Sequence, residues 1–153
     1  MGPAYFAYGS NLSPRQMQQR CPGARLVAPA RLRGHRLAFD RYSARWRGYV
    51  ADVVPAASAD TWGVLWELMP GQIETLDRYE GVASGAYERC VVDVELLRGE
   101  TVTAVTYRVV APGESGAPSA AYLATIREGA RAHALPGSYL RYLEKLAPAT
   151  SGD

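Results

Sequence analysis

The sequence predicts a single α+β domain built as a small mixed β-barrel flanked by helices. Short strand-type runs broken by Gly, Pro and Ser fill much of the chain, and few helical segments lie between them. This order argues against a doubly wound parallel sheet, in which helices alternate with strands. The chain of 153 residues has the length of one ordinary domain. We therefore expect one domain at 1–147 and a loose tail at 148–153, although the pattern alone fits an open sheet covered on one face equally well.

The first predicted strand, residues 4–9, leads directly into a small polar turn. Gly9 is expected to adopt a positive φ at the sharp exit from the strand. Ser13 has a hydroxyl that can cap a helix at 14–20, and Pro14 suits the first helical position. Such a strand, turn and helix N-terminus leave backbone N–H groups unpaired, which suits a carboxylate, a phosphate or a developing oxyanion.

The middle and end of the chain predict more strands and then helices. Strand-type runs occur at 25–32, 35–41, 49–54 and 61–68. In the last run, Trp62, Val64 and Trp66 alternate with other residues, which predicts one buried face. The later elements are a short helix at 71–80, a hairpin of strands at 87–97 and 101–110, a helix capped by Ser119 and ending near His133, and an amphipathic segment with Tyr139, Tyr142, Leu143 and Leu146 on one side.

Composition excludes several broad classes of protein. Hydrophobic residues make up 48% of the chain and charged residues 21%, and no apolar run approaches the roughly 20 residues of a membrane span. No basic and apolar leader begins the sequence, so we expect a cytoplasmic protein. Cys21 and Cys90 have no metal-ligand spacing and are expected to be reduced thiols, the first ending a helix and the second facing the core. Neither a metal nor a nucleotide or flavin cofactor is expected.

Three sequence blocks together resemble one enzyme family. They are Tyr5–Leu12, Leu76–Tyr87, and the segment from Ser119 to Gly137. In this order and spacing they resemble the gamma-glutamylcyclotransferases, and the likeness extends from Tyr5 to about Leu146. Those enzymes release 5-oxoproline from γ-glutamyl amides. The resemblance implies the same barrel architecture, a small-molecule γ-glutamyl substrate and a homodimer.

The resemblance also implies the site residues. It makes Glu80 the catalytic acid/base. The substrate-binding residues that it implies are Tyr5, Phe6, Ala7, Tyr8, Gly9, Ser10 and Asn11, together with Tyr87 and Tyr122 as aromatic hydroxyls lining the pocket.

The position of Glu80 agrees with this role on physical grounds. It lies seven residues beyond Ile73 and four beyond Leu76, so it extends the buried stripe of the helix at 71–80. Burial and the helix dipole at this C-terminal turn both raise the pKa of a carboxyl, and Gly81 can form a left-handed cap. The alternative for such a residue is a frayed end with its carboxylate in water. The rival carboxylates, expected on the surface, are Glu74, Asp77 and Glu88.

The reaction needs no protein nucleophile, because the α-amine of the substrate attacks its own γ-carbonyl to close a lactam. An acid/base such as Glu80 would accept the ammonium proton and return it to the departing amine. The sequence does not identify that amine, which could belong to an amino acid, to glutathione, to a lysine side chain or to a larger biosynthetic or carrier-bound compound. The loops expected to contact it are 41–48 and 111–118.

Two other function classes have some support in the sequence. Serine hydrolysis would use Ser10 with His35 or His133, but the Gly-x-Ser-x-Gly pattern is absent. Nucleic-acid or anion binding is suggested by a basic stretch at 31–47, although the formal net charge of the chain is only +2 and a solvated face is the simpler interpretation. A non-catalytic module that uses the same pocket is a third reading, against which Glu80 argues. The basic residues are Arg31, Arg33, His35, Arg36, Arg41, Arg45 and Arg47.

Overall fold

A computed structural model of the chain describes residues 3–150 and contains a closed barrel of five strands. Around the barrel the strands follow the order β1-β3-β2-β4-β5. Neighbouring strands are antiparallel except β1 and β5, which meet in parallel where Tyr5 pairs with Val105. The predicted barrel is thus confirmed, and the open-sheet alternative is wrong. The strands are β1 (Ala4–Ala7), β2 (Arg25–Ser43), β3 (Gly48–Glu67), β4 (Tyr87–Leu96) and β5 (Thr101–Val109).

The helices lie close to the predicted positions, and their caps explain where they begin. The Ser13 hydroxyl accepts a hydrogen bond from Gln16 N at 3.2 Å, and the Ser119 hydroxyl accepts one from Tyr122 N at 3.2 Å. Cys21 ends the first helix, as predicted. The helices are α1 (Pro14–Arg20), α2 (Gln72–Tyr79), α3 (Ala120–Ala132) and α4 (Gly137–Glu144), and a 3-10 turn spans Ser10–Leu12.

The four short strands predicted between residues 25 and 68 are instead two long ones. Strands β2 and β3 pair along nearly their whole length, with register shifts between Leu26 and Ala28, Arg33 and His35, and Phe39 and Arg41. Gly34 lies in the second shift with φ 72°, a backbone conformation that glycine adopts without strain. The small residues that look like strand ends in the sequence therefore mark bulges, where a strand bends without ending.

The predicted alternation in β3 is only half right, because both faces of this segment are covered. Thr61, Val64 and Leu65 are all at most 1% exposed. Trp66 lies edge-on to the His133 ring, with 5.8 Å between ring centroids, at the C-terminal end of α3. The helix α3 thus packs on the face that carries Trp66, and the opposite face, which carries Thr61 and Leu65, is buried as well.

Two smaller expectations are also corrected by the structure. Cys90 is only half-buried in β4, whereas Cys21 is buried. The predicted tail is tied down in part, because Ala149 N donates to Pro118 O at 2.7 Å. Residues 151–153 of that tail lie outside the described residues. Within the described residues no helix is both long and apolar enough to span a membrane.

Candidate active site

A cavity of about 300 Å³ opens between the barrel and the elements around it. Its walls come from the turn at residues 8–11, the end of α1, the end of α2 and the β2–β3 turn, with Tyr87, Tyr107 and Tyr122 completing them. This volume suits a small molecule. We call residues 8–11 the 8–11 turn.

Glu80 lines this cavity, as predicted. It is the C-cap of α2, and its backbone N–H donates to Leu76 O at 2.8 Å. Burial raises the pKa of the Glu80 carboxyl to about 7, and the positive charge of Arg20 acts against that rise. Gly81 follows with φ 67°, the left-handed cap that the sequence predicted. A carboxyl with a pKa near neutrality can both accept and return a proton.

The three rival carboxylates lie outside the cavity lining. Glu74 is exposed, and Glu88 pairs with Arg108 at 2.7 Å. Asp77 is not on the surface as predicted, because its side chain is only 20% exposed. It accepts a hydrogen bond from the Tyr107 hydroxyl at 2.7 Å and pairs with Arg89, which lowers the pKa of its carboxyl. A carboxylate held in its ionised form in this way is poorly suited to proton transfer.

Gly9 allows close packing at this turn and does not have the positive φ that the sequence predicted. Its φ is −111°. A Cβ at this position would lie 3.1 Å from the Tyr122 hydroxyl oxygen and 3.4 Å from the Ala51 Cβ. The absent side chain therefore lets α3 bring the Tyr122 hydroxyl against the 8–11 turn.

Asn11 is a buried hub that holds its neighbours in place. Its side-chain amide donates to the Tyr5 hydroxyl at 2.9 Å. Its side-chain oxygen accepts from Gln16 Nε2 at 2.9 Å and from Arg20 Nη1 at 3.2 Å. With both ends of its side chain engaged, Asn11 orients other residues of the cavity.

The four tyrosine hydroxyls predicted for the site divide into two kinds. Tyr8 donates to Tyr107 O, and Tyr87 donates to Ala51 O, each at 2.6 Å. Tyr5 and Tyr122 instead accept hydrogen bonds, from Asn11 Nδ2 and Ala51 N respectively, both at 2.9 Å. A phenol that accepts keeps its own proton to donate. Tyr5 and Tyr122 can therefore donate into the cavity.

Two of the predicted binding residues do not line the cavity. Phe6 is fully buried and Ala7 is 1% exposed, both within the core. The Phe6 carbonyl accepts from the Thr106 hydroxyl at 2.7 Å, which ties β1 to β5. Ser10 does line the cavity, and its hydroxyl accepts from Gln16 Nε2 at 2.6 Å.

The serine hydrolase alternative lacks a base. His133 is buried against Leu12 O, with Nε2 at 2.7 Å from that oxygen, and burial lowers its pKa. His35 is hydrogen-bonded to Arg33 O at 3.0 Å on the surface. Neither histidine lines the cavity that contains Ser10.

The 8–11 turn is held from outside as well. Trp66 Nε1 donates to Asn11 O at 3.2 Å, and His133 Nε2 contacts Leu12 O at 2.7 Å. A Cβ on Gly129 of α3 would come within 2.4 Å of the Leu12 carbonyl carbon. The turn is thus clamped between β3 and α3, which fixes its geometry.

The sequence did not identify several residues of the cavity. Arg20 is 8% exposed and lies with its guanidinium 4.4 Å from the centroid of the Tyr79 ring. Its spacing from Met17, which is 1% exposed, was the available signal, since residues three apart share a helix face. Arg41 at the end of β2, and Arg45 and Trp46 in the β2–β3 turn, also line the cavity and belong to the predicted loop at 41–48.

Only one of the two predicted specificity loops contributes to the cavity. The loop at 41–48 supplies lining residues, whereas the loop at 111–118 does not. The second loop packs on β2, where Gly113 N donates to Asp40 O and Gly116 N to Phe39 O, each at 2.9 Å. The basic stretch is likewise divided, since Arg31 and Arg33 pair with Glu95 away from the cavity.

A pair of buried carboxyls lies behind the cavity wall. Asp52 is 1% exposed and Asp40 is 6% exposed, and the Asp40 carboxyl adds to the rise in the pKa of Asp52. Asp52 Oδ1 accepts from Val53 N at 2.8 Å and from Val109 N at 3.0 Å. Burial raises the pKa of Asp52 to about 7, since desolvation disfavours the charged form.

Asp52→Asn is expected to stabilise the protein at pH 8 but not at pH 4. The folded protein keeps the proton up to about pH 7, whereas the unfolded chain loses it near its ordinary value of 3.8, so the free energy of unfolding falls as pH rises between the two. Asparagine keeps the acceptor oxygen without the charge. Thermal unfolding should show a Tm about 2–4 °C higher at pH 8. An equal change at both pH values would contradict this, and the exposed Asp93→Asn is the control.

Comparisons with known proteins agree with the barrel fold. The AIG2-like family profile matches residues 60–143. The chain is 34% identical to gamma-glutamylcyclotransferase from Mus musculus over 148 residues, which is 94% of this chain and 78% of the mouse protein. The corresponding figures for the Homo sapiens protein are the same. A solved gamma-glutamyl cyclotransferase superposes with a TM-score of 0.93 at 32% identity, covering 98% of this chain and 91% of the other. The chain therefore belongs to the gamma-glutamylcyclotransferase family of AIG2-like proteins.

Proposed function

We propose that this protein is a gamma-glutamylcyclotransferase that converts a γ-glutamyl amide into 5-oxoproline and a free amine. The observation that carries the proposal is Glu80, a cavity carboxyl whose pKa burial raises to about 7. Family membership supplies the reaction class. The cavity volume of about 300 Å³ supports a small-molecule substrate.

Glu80 acts in this proposal as the base and then as the acid. Its carboxylate takes a proton from the substrate ammonium, and the nitrogen lone pair attacks the γ-carbonyl carbon to form a tetrahedral intermediate. Glu80 then gives the proton to the departing nitrogen as the original C–N bond breaks. The second proton of the attacking nitrogen then passes through the Glu80 carboxylate to the departing amine, so the products are a lactam and an ammonium ion, with no net change in protonation of the protein.

Hydrogen-bond donors around Glu80 support the same chemistry. The hydroxyls of Tyr5 and Tyr122 retain protons to donate, because each accepts a hydrogen bond from the protein. The 8–11 turn lies beside both of them. In this proposal these groups bind the α-carboxylate and the γ-carbonyl oxygen of the substrate and stabilise the negative charge that develops on the latter. Holding the glutamyl chain folded favours the intramolecular attack.

Release of 5-oxoproline from γ-glutamyl-alanine, measured by mass spectrometry, tests the proposal. Two matched compounds serve as controls. N-acetyl-γ-glutamyl-alanine lacks a nucleophilic amine, and in α-glutamyl-alanine the peptide bond involves the other carboxyl. We expect 5-oxoproline from γ-glutamyl-alanine and from neither control compound. The proposal would be refuted if neither γ-glutamyl-alanine nor any other γ-glutamyl amide released 5-oxoproline.

Three further expectations from the sequence remain proposals, of which only the homodimer rests on resemblance. They are one domain at 1–147, a homodimer and a cytoplasmic location.

A further inference from the structure

The cavity contains more positive than negative charge among its lining residues. Arg20, Arg41 and Arg45 line it, whereas Glu80 is its one lining carboxylate within residues 3–150. Arg20 is fixed by Asn11 Oδ1 and by the Tyr79 ring. It also interacts electrostatically with Glu80, so it belongs to the inner part of the site.

Arg41 and Arg45 have no carboxylate partner of their own. In the described part of the chain, no Asp or Glu oxygen lies within 4.0 Å of either guanidinium. Arg45 lies 5.8 Å from the centroid of the Tyr79 ring, and Arg41 interacts electrostatically with Tyr87. Arginines on other faces are divided, since Arg36, Arg47, Arg78 and Arg141 likewise have no carboxylate within 4.0 Å in residues 3–150, whereas others are paired. Those paired at 3.0 Å or less are Arg31, Arg33, Arg89, Arg108 and Arg131.

The segment that carries the two arginines, the end of β2 and the β2–β3 turn, is preorganised. Trp46 lies edge-on to Tyr122, with 4.9 Å between ring centroids, and its backbone N–H donates to the Ser43 hydroxyl at 3.2 Å. Both contacts hold the β2–β3 turn against the cavity. The arginines are therefore presented at its exposed side by a fixed segment.

The γ-glutamyl half of the substrate does not balance the positive charges of Arg41 and Arg45. A γ-glutamyl group brings one carboxylate and one ammonium, whose charges the inner pair Arg20 and Glu80 can balance. Two guanidinium charges remain for the other half of the substrate. Arginine binds carboxylates with paired hydrogen bonds, which makes it selective for that group.

We propose that Arg41 and Arg45 form a subsite for a leaving amine with two carboxylates, so that γ-glutamyl amides of acidic amino acids are preferred over their neutral isosteres. This inference rests on the proposed function and deepens it. One carboxylate is the α-carboxylate of the departing amino acid, and the second is its acidic side chain. One of these carboxylates is met by Arg41 of β2 and the other by Arg45 of the β2–β3 turn.

Comparing γ-glutamyl-glutamate with γ-glutamyl-glutamine tests this subsite, because the two compounds differ by one charge at nearly constant shape. We expect kcat/KM for the glutamate compound to be about tenfold higher, mainly through KM, since a hydrogen bond to a charged group has this effect. The preference should shrink as salt rises from about 0.05 to 0.5 M. The Arg41→Gln, Arg45→Gln double variant should lose it while still turning over the glutamine compound. Arg47→Gln, in the same turn but outside the cavity lining, is the control.

The outcomes separate the subsite from the reaction itself. Equal kcat/KM values in the wild type, or equal losses on both substrates in the double variant, would overturn the subsite and leave the cyclotransferase proposal standing. Absence of 5-oxoproline from every compound would instead refute the reaction. In that case, the subsite is tested by calorimetry, which gives the Kd values with which the Glu80→Gln variant binds the two compounds. Tighter binding of the glutamate compound supports it, and equal binding overturns it.

Discussion

Replacing Glu80 by Gln is expected to lower kcat/KM for γ-glutamyl amides by about 10²–10⁴-fold, the range attributed to a positioned general acid–base group. Glutamine keeps the size and the hydrogen-bonding oxygen of the side chain but cannot accept the ammonium proton. Release of 5-oxoproline under single-turnover and steady-state conditions measures the loss. Glu74→Gln, on the exposed side of the same helix, should retain full activity.

Glu80→Gln should lose activity without losing stability. Glu80 titrates near pH 7 in the folded protein and at its ordinary value of 4.5 in the unfolded chain, so its ionisation lowers the free energy of unfolding as pH rises between these values. Removing the charge should leave Tm at pH 8 unchanged or higher. An inactive variant that also melts early would indicate a structural role for Glu80.

The same group sets the expected pH dependence. Because the base must be ionised, kcat/KM of the wild type should rise with pH through about 7. The rise should be missing from the residual activity of Glu80→Gln. If kcat/KM of the wild type and of Glu80→Gln fell in the same way below pH 7, the titration would belong to another group. That result would contradict the role of Glu80.

The sequence predicts elements better than it predicts the reasons for individual residues. Caps at Ser13 and Ser119, the helix that carries Glu80 and the hairpin after it all follow local rules, and the structure confirms them. Gly9 is a residue whose role the local pattern does not predict. The Tyr122 hydroxyl, more than a hundred residues away, lies close to where a Cβ of Gly9 would be, and no pattern around Gly9 indicates that contact.

The sequence predicted only part of the site, because local patterns do not show contacts between distant residues. Glu80 lies on a helical stripe that can be read from spacing, so its burial was foreseen. Arg20 looks like an ordinary C-terminal helix charge in the sequence. Its burial depends on Asn11 and Tyr79, which the barrel brings to it from other elements. Contacts between distant segments, and the bulges that keep β2 and β3 continuous, require the tertiary structure.

Gly129→Ala should reverse the usual effect of this substitution. Inside a helix, Gly→Ala ordinarily stabilises by about 1 kcal/mol. In α3 the new Cβ would lie 2.4 Å from the carbonyl carbon of Leu12 and 2.6 Å from its oxygen, both backbone atoms that cannot rotate away. We expect a loss of about 1–3 kcal/mol from this overpacking. Thermal unfolding should show Tm lower by about 2–12 °C.

The same change should lower activity, because relief of the clash moves the 8–11 turn. Leu12 N donates to Gly9 O at 3.0 Å, so a shift of Leu12 is passed directly to the turn that lies against Tyr122. A displacement of about 1 Å can reduce turnover about 100-fold. Glu128→Ala, an exposed neighbour in α3, is the control and should change neither Tm nor kcat/KM appreciably. A higher Tm for Gly129→Ala would mean that α3 does not fix the turn, and the clamp on the 8–11 turn would then rest on Trp66 alone.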